Sequence, residues 1–417
     1  MYRKTILPNG VRVVSEAIPY VKSVTLGIWV GTGSRSEEEH NHGISHFIEH
    51  MVFKGTHKRS AKDIAETVDE VGGQLNAFTD KEHTCYYIKV LDTHLELALD
   101  ILSDMLLASK FDREDINRER EVVLEEVNMY EDTPEELVHD THLSHIWSGH
   151  ALGRNILGTI PAIEKFDQKL IHDYYNDFYT PDNIVIAAAG NLTHEKLEEL
   201  AERYFGKMAG TKQQVGLVAP IFIPVNTIQK KAIEQVHLCL GTKSVPQSSP
   251  DIYTIHILNN IVGGGISSRL FQSIREEKGL AYSIYSDQTN YRDCGLFTIY
   301  AGTRPSNIAQ VMELIWQNID ELKARGITTR ELSKTKEQLK GGLLLGLESS
   351  SSRMSRIGRM EITLGKHITI DEVVANIDKV SLEDLRQISQ GLFDRKTLCF
   401  TALGPVTKEV ANAIKRF

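Results

Sequence analysis

"YTPDNIVIAAAGNLTHEKLEELAERYFGKM", residues 179–208, reads as one small structural unit, and the same unit closes the chain. The run from Ile184 to Ala189 is unbroken and apolar between turn formers, the pattern of a buried strand. A Gly-Asn turn follows, then Thr193 at a helix N-cap position and an amphipathic helix. The final stretch, "FDRKTLCFTALGPVTKEVANAIKRF" (393–417), gives the same order: strand, Gly-Pro turn, Thr407 as cap, helix.

Further pairs appear on either side of these two. "SVTLGIWVGTGSR" (23–35) is matched by "EQVHLCLGTKSV" (234–245), each a strand running into Gly-Thr. "GISHFIEHMVFKG" (43–55) is matched by "GISSRLFQSIREEKG" (265–279), and "FDREDINREREVVLEE" (111–126) by "ITTRELSKTKEQLKGG" (327–342). The segment from Gln213 to Gln229, with Pro220 and Pro224, breaks all periodicity and marks the junction. The reading is therefore two homologous α/β domains, 1–215 and 229–417, joined by a connector at 216–228. Strands come first in each half and paired long helices after. That order predicts an α+β fold, mostly antiparallel sheet with helices packed on one face.

A chain of 417 residues suits two large domains rather than one core. The net charge of −9 argues against a general nucleic-acid binder. No run of about 18 apolar residues offers a membrane span. The N-terminal stretch has no apolar h-region and reads as a strand, a Pro-Asn-Gly turn and a second strand. Cys85, Cys239, Cys294 and Cys399 are widely spaced in apolar runs, as reduced core residues would be. Together these features lead us to expect a cytoplasmic protein.

Only the first half carries a motif with metal-binding spacing, the H-x-x-E-H of His46, Glu49 and His50. The second half has serine, phenylalanine and glutamine at the matching places. Four residues apart on a helix, the two histidines stack on one face, and Glu49 lies on the same side. Two imidazoles at that spacing can hold one Zn²⁺, with the glutamate beside an open coordination position. Ile44, Phe47, Ile48, Met51, Val52 and Phe53 make the helix apolar nearly all round. Such a helix is buried, and buried histidines beside a buried glutamate need a partner, which a metal supplies.

A catalytic zinc site needs a third protein ligand. His40 and His42 sit in a loop of turn formers ahead of the motif, so they precede the helix rather than face the metal. His139, His142 and His145 have i, i+3, i+6 spacing that could clamp a metal, but they read as a solvated helix face. The better source is the acidic helix "DREDINREREVVLEEVNMYED", capped by Asp112 or Asp115. Glu119, Val122, Val123 and Glu126 fall on one half-apolar stripe, while Glu121 and Glu125 form a separate pair on a neighbouring face. Periodicity points to Glu119 and Glu126 without choosing between them.

"GISHFIEHMVFKGT" and the downstream "EREVVLEEVNMYED" resemble the pitrilysin and mitochondrial processing peptidase family of inverted-zincin metallopeptidases, in its half-size form. The resemblance covers essentially the whole chain, duplicated halves included. It implies a zinc endopeptidase with one Zn²⁺ per chain, held by His46, His50 and Glu126. Glu49 would be the general base, and Glu119 would support the site without binding the ion. In "GGQLNAFTDKEHTCYYIKV" it implies a strand that binds peptide by β-addition, with Asn76 and Ala77 near the scissile bond. In "RLFQSIREEKGLAYSIYS" it implies that Arg275 and Tyr282 reach the substrate. A half-size member resembles one half of a clamshell, so a homodimer or a heterodimer with a related chain is expected to enclose peptides or unfolded segments. A catalytically silent partner subunit is the alternative the resemblance leaves.

Overall fold

The computed structural model describes residues 1–211, 216–408 and 411–412, and the chain forms two compact units. The first comprises Met1–Met129, Arg154–Leu217 and Leu344–His367. Its sheet has six strands: β1 (Tyr2–Ile6), β2 (Arg12–Ala17), β3 (Ser23–Val30), β4 (Gln74–Thr79), β5 (Thr84–Leu91) and β6 (Ile184–Gly190). Their spatial order is β1-β2-β6-β3-β5-β4, antiparallel except for β2 beside β6.

Every residue of β6 is buried, so both faces of this sheet are covered. Val185, Ala187 and Ala189 join Val14, Trp29 and Cys85 against Met354, Ile357 and Ile362 of the helix Ser350–Leu364. The alternate residues Ile184, Ile186 and Ala188 turn to the opposite face. On the sheet pack the helices Leu95–Leu107 and His194–Phe205. Glycine lets the helix 350–364 come close: a Cβ on Gly358 would stand 2.1 Å from Trp29 Nε1, and one on Gly27 2.5 Å from Met354 Sδ.

The second unit comprises Tyr130–Gly153, Val218–Leu343 and Ile368–Phe417. Its strands are β7 (Thr227–Lys230), β8 (Val236–Ser244), β9 (Ala281–Asn290), β10 (Gly295–Thr303) and β11 (Cys399–Gly404), in the order β7-β11-β8-β10-β9. Among the described residues only β7 and β11 pair in parallel. Val236, Leu238, Leu240, Phe297, Ile299 and Phe400 face the helices Ile252–Val262, Ile308–Arg325 and Leu382–Leu392. On the other face Cys239, Tyr300 and Leu403 meet Val138 of the helix Pro134–Ile146.

Each sheet thus has one face covered by a helix drawn from the opposite half of the sequence. Residues 134–146 belong to the second unit and residues 350–364 to the first. The chain passes between the units again at 217/218, and no helix or strand forms between 216 and 226. The end of the expected connector is instead a strand, β7, held by its parallel pairing to β11. Residues 213–215 of the Gln213–Gln229 segment, and most of the helix expected after Thr407, lie outside the described residues.

The solvated histidine face expected at 139–145 does not form. His142 is 1 % exposed, its Nδ1 paired with Thr401 Oγ1 at 3.0 Å, and it fits only because position 241 is glycine. His139 is half-buried, with Nε2 3.0 Å from the Tyr285 hydroxyl. A histidine reads as polar by pattern, yet here the helix lies flat on a sheet. Among the described residues no helix is long and apolar enough to cross a membrane, and all four cysteines are free and buried.

Candidate metal centre

The helix α1 (Ile44–Val52) begins at Gly43, whose φ of +96° and close approach to Leu157 and Gly158 exclude a side chain. Its first amides are satisfied by a buried carboxylate. Glu37 accepts from Gly43 N at 2.8 Å and from Ser45 N at 2.9 Å. Burial raises the Glu37 pKa, while those two bonds and nearby Arg154 work against the rise. Ser45 and Thr32 share the Tyr174 hydroxyl at 2.8 and 3.0 Å, which ties α1 to the segment just after β3 and to the helix Gln168–Phe178. Ile44, Phe47, Ile48, Met51 and Val52 are all buried, so the rotation of α1 is fixed by packing.

The acidic helix α2 (Arg113–Glu131) starts where Asp112 accepts from Glu114 N at 2.8 Å. Its buried stripe is Ile116, Glu119, Val123 and Val127. This corrects the stripe expected from periodicity, because Val122 is 50 % exposed and Glu126 stands at the margin rather than in the centre. Glu121 and Glu125 face solvent.

The side-chain contacts between α1 and α2 separate the two candidate glutamates. Glu126 Oε1 lies 3.7 Å from His46 Nε2, and Glu126 Oε2 lies 3.6 Å from His50 Nε2. Glu119 instead takes the outer nitrogen: His50 Nδ1–H donates to Glu119 Oε1 at 2.8 Å. That bond fixes the tautomer and leaves Nε2 free for an ion. Among the described residues, His46, His50 and Glu126 are the group of three whose donor atoms all lie within 4.8 Å of one another. Donors about 2.0–2.1 Å from a tetrahedral zinc are roughly 3.4 Å apart. The observed separations differ from that by a few tenths of an ångström, and the donor set of two imidazoles and one carboxylate suits zinc.

Electrostatics favour a cation here. Burial, helped by His50, pushes the His46 imidazole down to about 3, so it is neutral and able to ligate. Burial also pulls on His50, but the Glu119 bond and the charges of Glu126, Glu119 and Glu49 outweigh it and leave its pKa raised. Glu49 is raised by burial, against a 2.5 Å bond donated by Thr79 Oγ1 and the proximity of His50. Glu119 is pushed up by burial, yet the bonds from His50 and from Lys54 Nζ, the latter 2.5 Å, bring it below its ordinary value.

The remaining expected residues are placed as follows. Asn76 and Ala77 lie on β4, which among the described residues pairs only with β5 and so forms an edge of the first sheet. The Ala77 N–H donates to Asn76 Oδ1 at 2.8 Å. Arg275 and Tyr282 are in the second unit and touch each other. The guanidinium sits 4.7 Å over the Phe271 ring and 5.3 Å from the Tyr282 ring, and Tyr282 is 79 % exposed. His40 is exposed near Glu38, and His42 Nε2 bonds the Asn155 carbonyl at 2.8 Å, so neither joins the donor group. Sequence reasoning missed Thr79 and Lys54. Lys54 had a local signal, four residues beyond His50. Thr79 had none, because its partner lies across a strand-to-helix contact.

Comparison with known proteins gives a consistent result. Residues 12–160 match the insulinase family, peptidase family M16, and residues 165–339 match the domain described as the peptidase M16 inactive domain. A Bacillus subtilis protein named as the uncharacterized zinc protease YmxG is 46% identical over 393 residues, 94% of this chain and 96% of that one. A probable mitochondrial-processing peptidase subunit beta from Arabidopsis thaliana is 32% identical over 418 residues, 97% of this chain and 78% of that one. The crystal structure of a protease from Helicobacter pylori shares the fold, with a TM-score of 0.91, 22% identity, and coverage of 97% of this chain and 99% of that one.

Proposed function

The chain belongs to peptidase family M16, and from that premise we propose that it is a zinc-dependent endopeptidase acting on peptides or unfolded segments. The observation that carries the proposal is the convergence of His46 Nε2, His50 Nε2 and the Glu126 carboxylate, with the carboxyl of Glu49, outside that donor group, one residue from a ligand. A structural zinc site is closed by four protein ligands and has no use for such a carboxyl.

When bound, zinc supplies a lowered pKa for water and polarisation of the scissile carbonyl. The chain's own residues do the rest. Glu49 accepts a proton from the attacking water as its oxygen bonds the carbonyl carbon. It delivers that proton to the amine nitrogen as the C–N bond breaks. Thr79 holds one Glu49 oxygen, leaving the other to work. Glu119 orients His50. The open edge of β4 offers backbone donors and acceptors to an extended peptide at Asn76 and Ala77, which reads little of its sequence. Arg275 and Tyr282 would bind the peptide carbonyls and stabilise the developing oxyanion. We infer that a second chain, identical or related, completes the enclosure. The reduced, buried cysteines fit a cytoplasmic location.

The test is metal content and cleavage of a quenched mixed-sequence peptide library, with and without chelator. About one zinc per chain, and cleavage lost to chelation and restored by zinc, is the expected result. Zinc bound without cleavage would overturn the endopeptidase reading in favour of a silent partner subunit.

A further inference from the structure

The two imidazoles of the donor group are held differently from behind. His46 Nδ1 is buried and has no hydrogen-bond partner among the described residues, so on that side its ring is set by packing. His50 Nδ1 is tied to Glu119 Oε1, and the other oxygen of that carboxylate is gripped by Lys54 Nζ. Glu119 is 4 % exposed and sits in the buried stripe of α2, and its two oxygens are taken by His50 and Lys54. Its orientation therefore depends on these two donors.

Lys54 is placed by a braced turn rather than by α1. Its amide N bonds Met51 O at 3.1 Å, just past the helix end. The next residue, Gly55, has φ +115° and forms a bridge to Ser60. Thr56 Oγ1 donates to Asp104 at 2.9 Å, and Arg59 pairs with Asp104 at 2.8 Å and with Asp100 at 2.5 Å. Both acids lie on the helix Leu95–Leu107. The turn is thus anchored to a third helix, and the Lys54 side chain runs from it to Glu119.

We infer that Lys54 is a positioning residue for the metal centre: by holding Glu119 Oε2 it fixes the carboxylate that orients His50, and through it the Nε2 donor. This rests on the metal-site reading above. Without Lys54, Glu119 keeps one tether and can swing about it, and His50 gains the ring rotation that the tether had removed. Outer partners of this kind are worth about 10–100-fold in metal affinity.

The experiment is zinc affinity of the purified full chain by competition with a chromophoric chelator, together with the melting temperature of the metal-free protein. The variants are Lys54→Ala, Lys54→Met and Lys54→Arg. Lys54→Ala and Lys54→Met are expected to bind zinc about 10–100-fold more weakly, a loss larger than any fall in the metal-free melting temperature accounts for, and Lys54→Arg to recover most of the loss. The d–d spectrum of the cobalt-loaded protein should change in the first two and not in the third. Zinc binding as tight as in the unmodified chain, in either Lys54→Ala or Lys54→Met, overturns the inference alone. So does a loss matched by a fall in metal-free melting temperature in both and not recovered by arginine, which would make Lys54 a turn residue only. Failure of the unmodified chain to bind zinc would remove the metal site and this role with it.

Discussion

Shortening Glu126 by one methylene tests the metal centre by geometry alone. Glu126→Asp keeps the charge and withdraws the carboxylate by about 1.5 Å, one C–C bond. The 3.6 and 3.7 Å separations from the two Nε2 atoms then open to roughly 5 Å. Two donors about 2.1 Å from one zinc are at most about 4.2 Å apart, even on opposite sides of it, so the aspartate cannot share the ion with both histidines. Nor can α2 move to restore contact, because Ile116, Val123 and Val127 are buried against the first unit. The loss should exceed the 10–100-fold of an outer partner, so at least about 100-fold in affinity. If free zinc is held at 1,000 times the dissociation constant of the unmodified chain, binding stabilises that chain by about 4.1 kcal/mol. At the same zinc level a site 100-fold weaker gives about 1.4 kcal/mol. The assay is urea unfolding of both proteins with zinc and with chelator. A zinc-dependent gain in Glu126→Asp equal to that of the unmodified chain would refute Glu126 as a ligand.

Glu49→Gln should retain zinc and the contact with Thr79 while kcat on a peptide falls about 10²–10⁴-fold, the usual worth of a general base; a fall of less than tenfold removes Glu49 from that role. Gly358→Ala should destabilise by about 1–3 kcal/mol, since the new methyl would meet Trp29 Nε1 at 2.1 Å. An unchanged urea midpoint would show that the helix 350–364 can retreat without cost. Glu331 is held down to about 2, where burial acts to raise it but Arg269 at 2.7 Å and the Thr328 amide and hydroxyl win. Its folded pKa lies below the unfolded value. Its contribution is therefore complete above about pH 4.5 and is lost as pH falls through about 2. Glu331→Gln should therefore lower stability by roughly 1–3 kcal/mol at pH 7. The gap to the unmodified chain should narrow between pH 5 and pH 3, and a gap that widened there would contradict the assignment.

Local pattern was enough for whatever depends on neighbours along the chain. The spacing of His46, Glu49 and His50 on an apolar helix, the Thr193 cap, the strand runs of β6 and β11, and the agreement of element order between halves are all local, and they were legible as such. Helical period also brought Glu119 and Glu126 to one side of α2. It could not tell them apart, because that depends on which nitrogen of His50 each one meets, and the tertiary fold brings α1 and α2 to that meeting. The same holds for Val122, which period put with the buried residues and packing left in solvent.

The exchange of helices 134–146 and 350–364 left no mark in sequence, since an apolar stripe fits a sheet from either half equally well. His142 was misread for a related reason: a side chain that can be polar or buried is decided by what covers it. The sequence by itself determined two similar α/β halves, the element order and a pair of histidines one turn apart with a glutamate between them. The tertiary structure decided which carboxylate stands between the two Nε2 atoms, which one bonds His50 Nδ1, and that Thr79 and Lys54 contact Glu49 and Glu119. Periodicity fixes the face a residue shares; only the fold supplies what stands opposite that face.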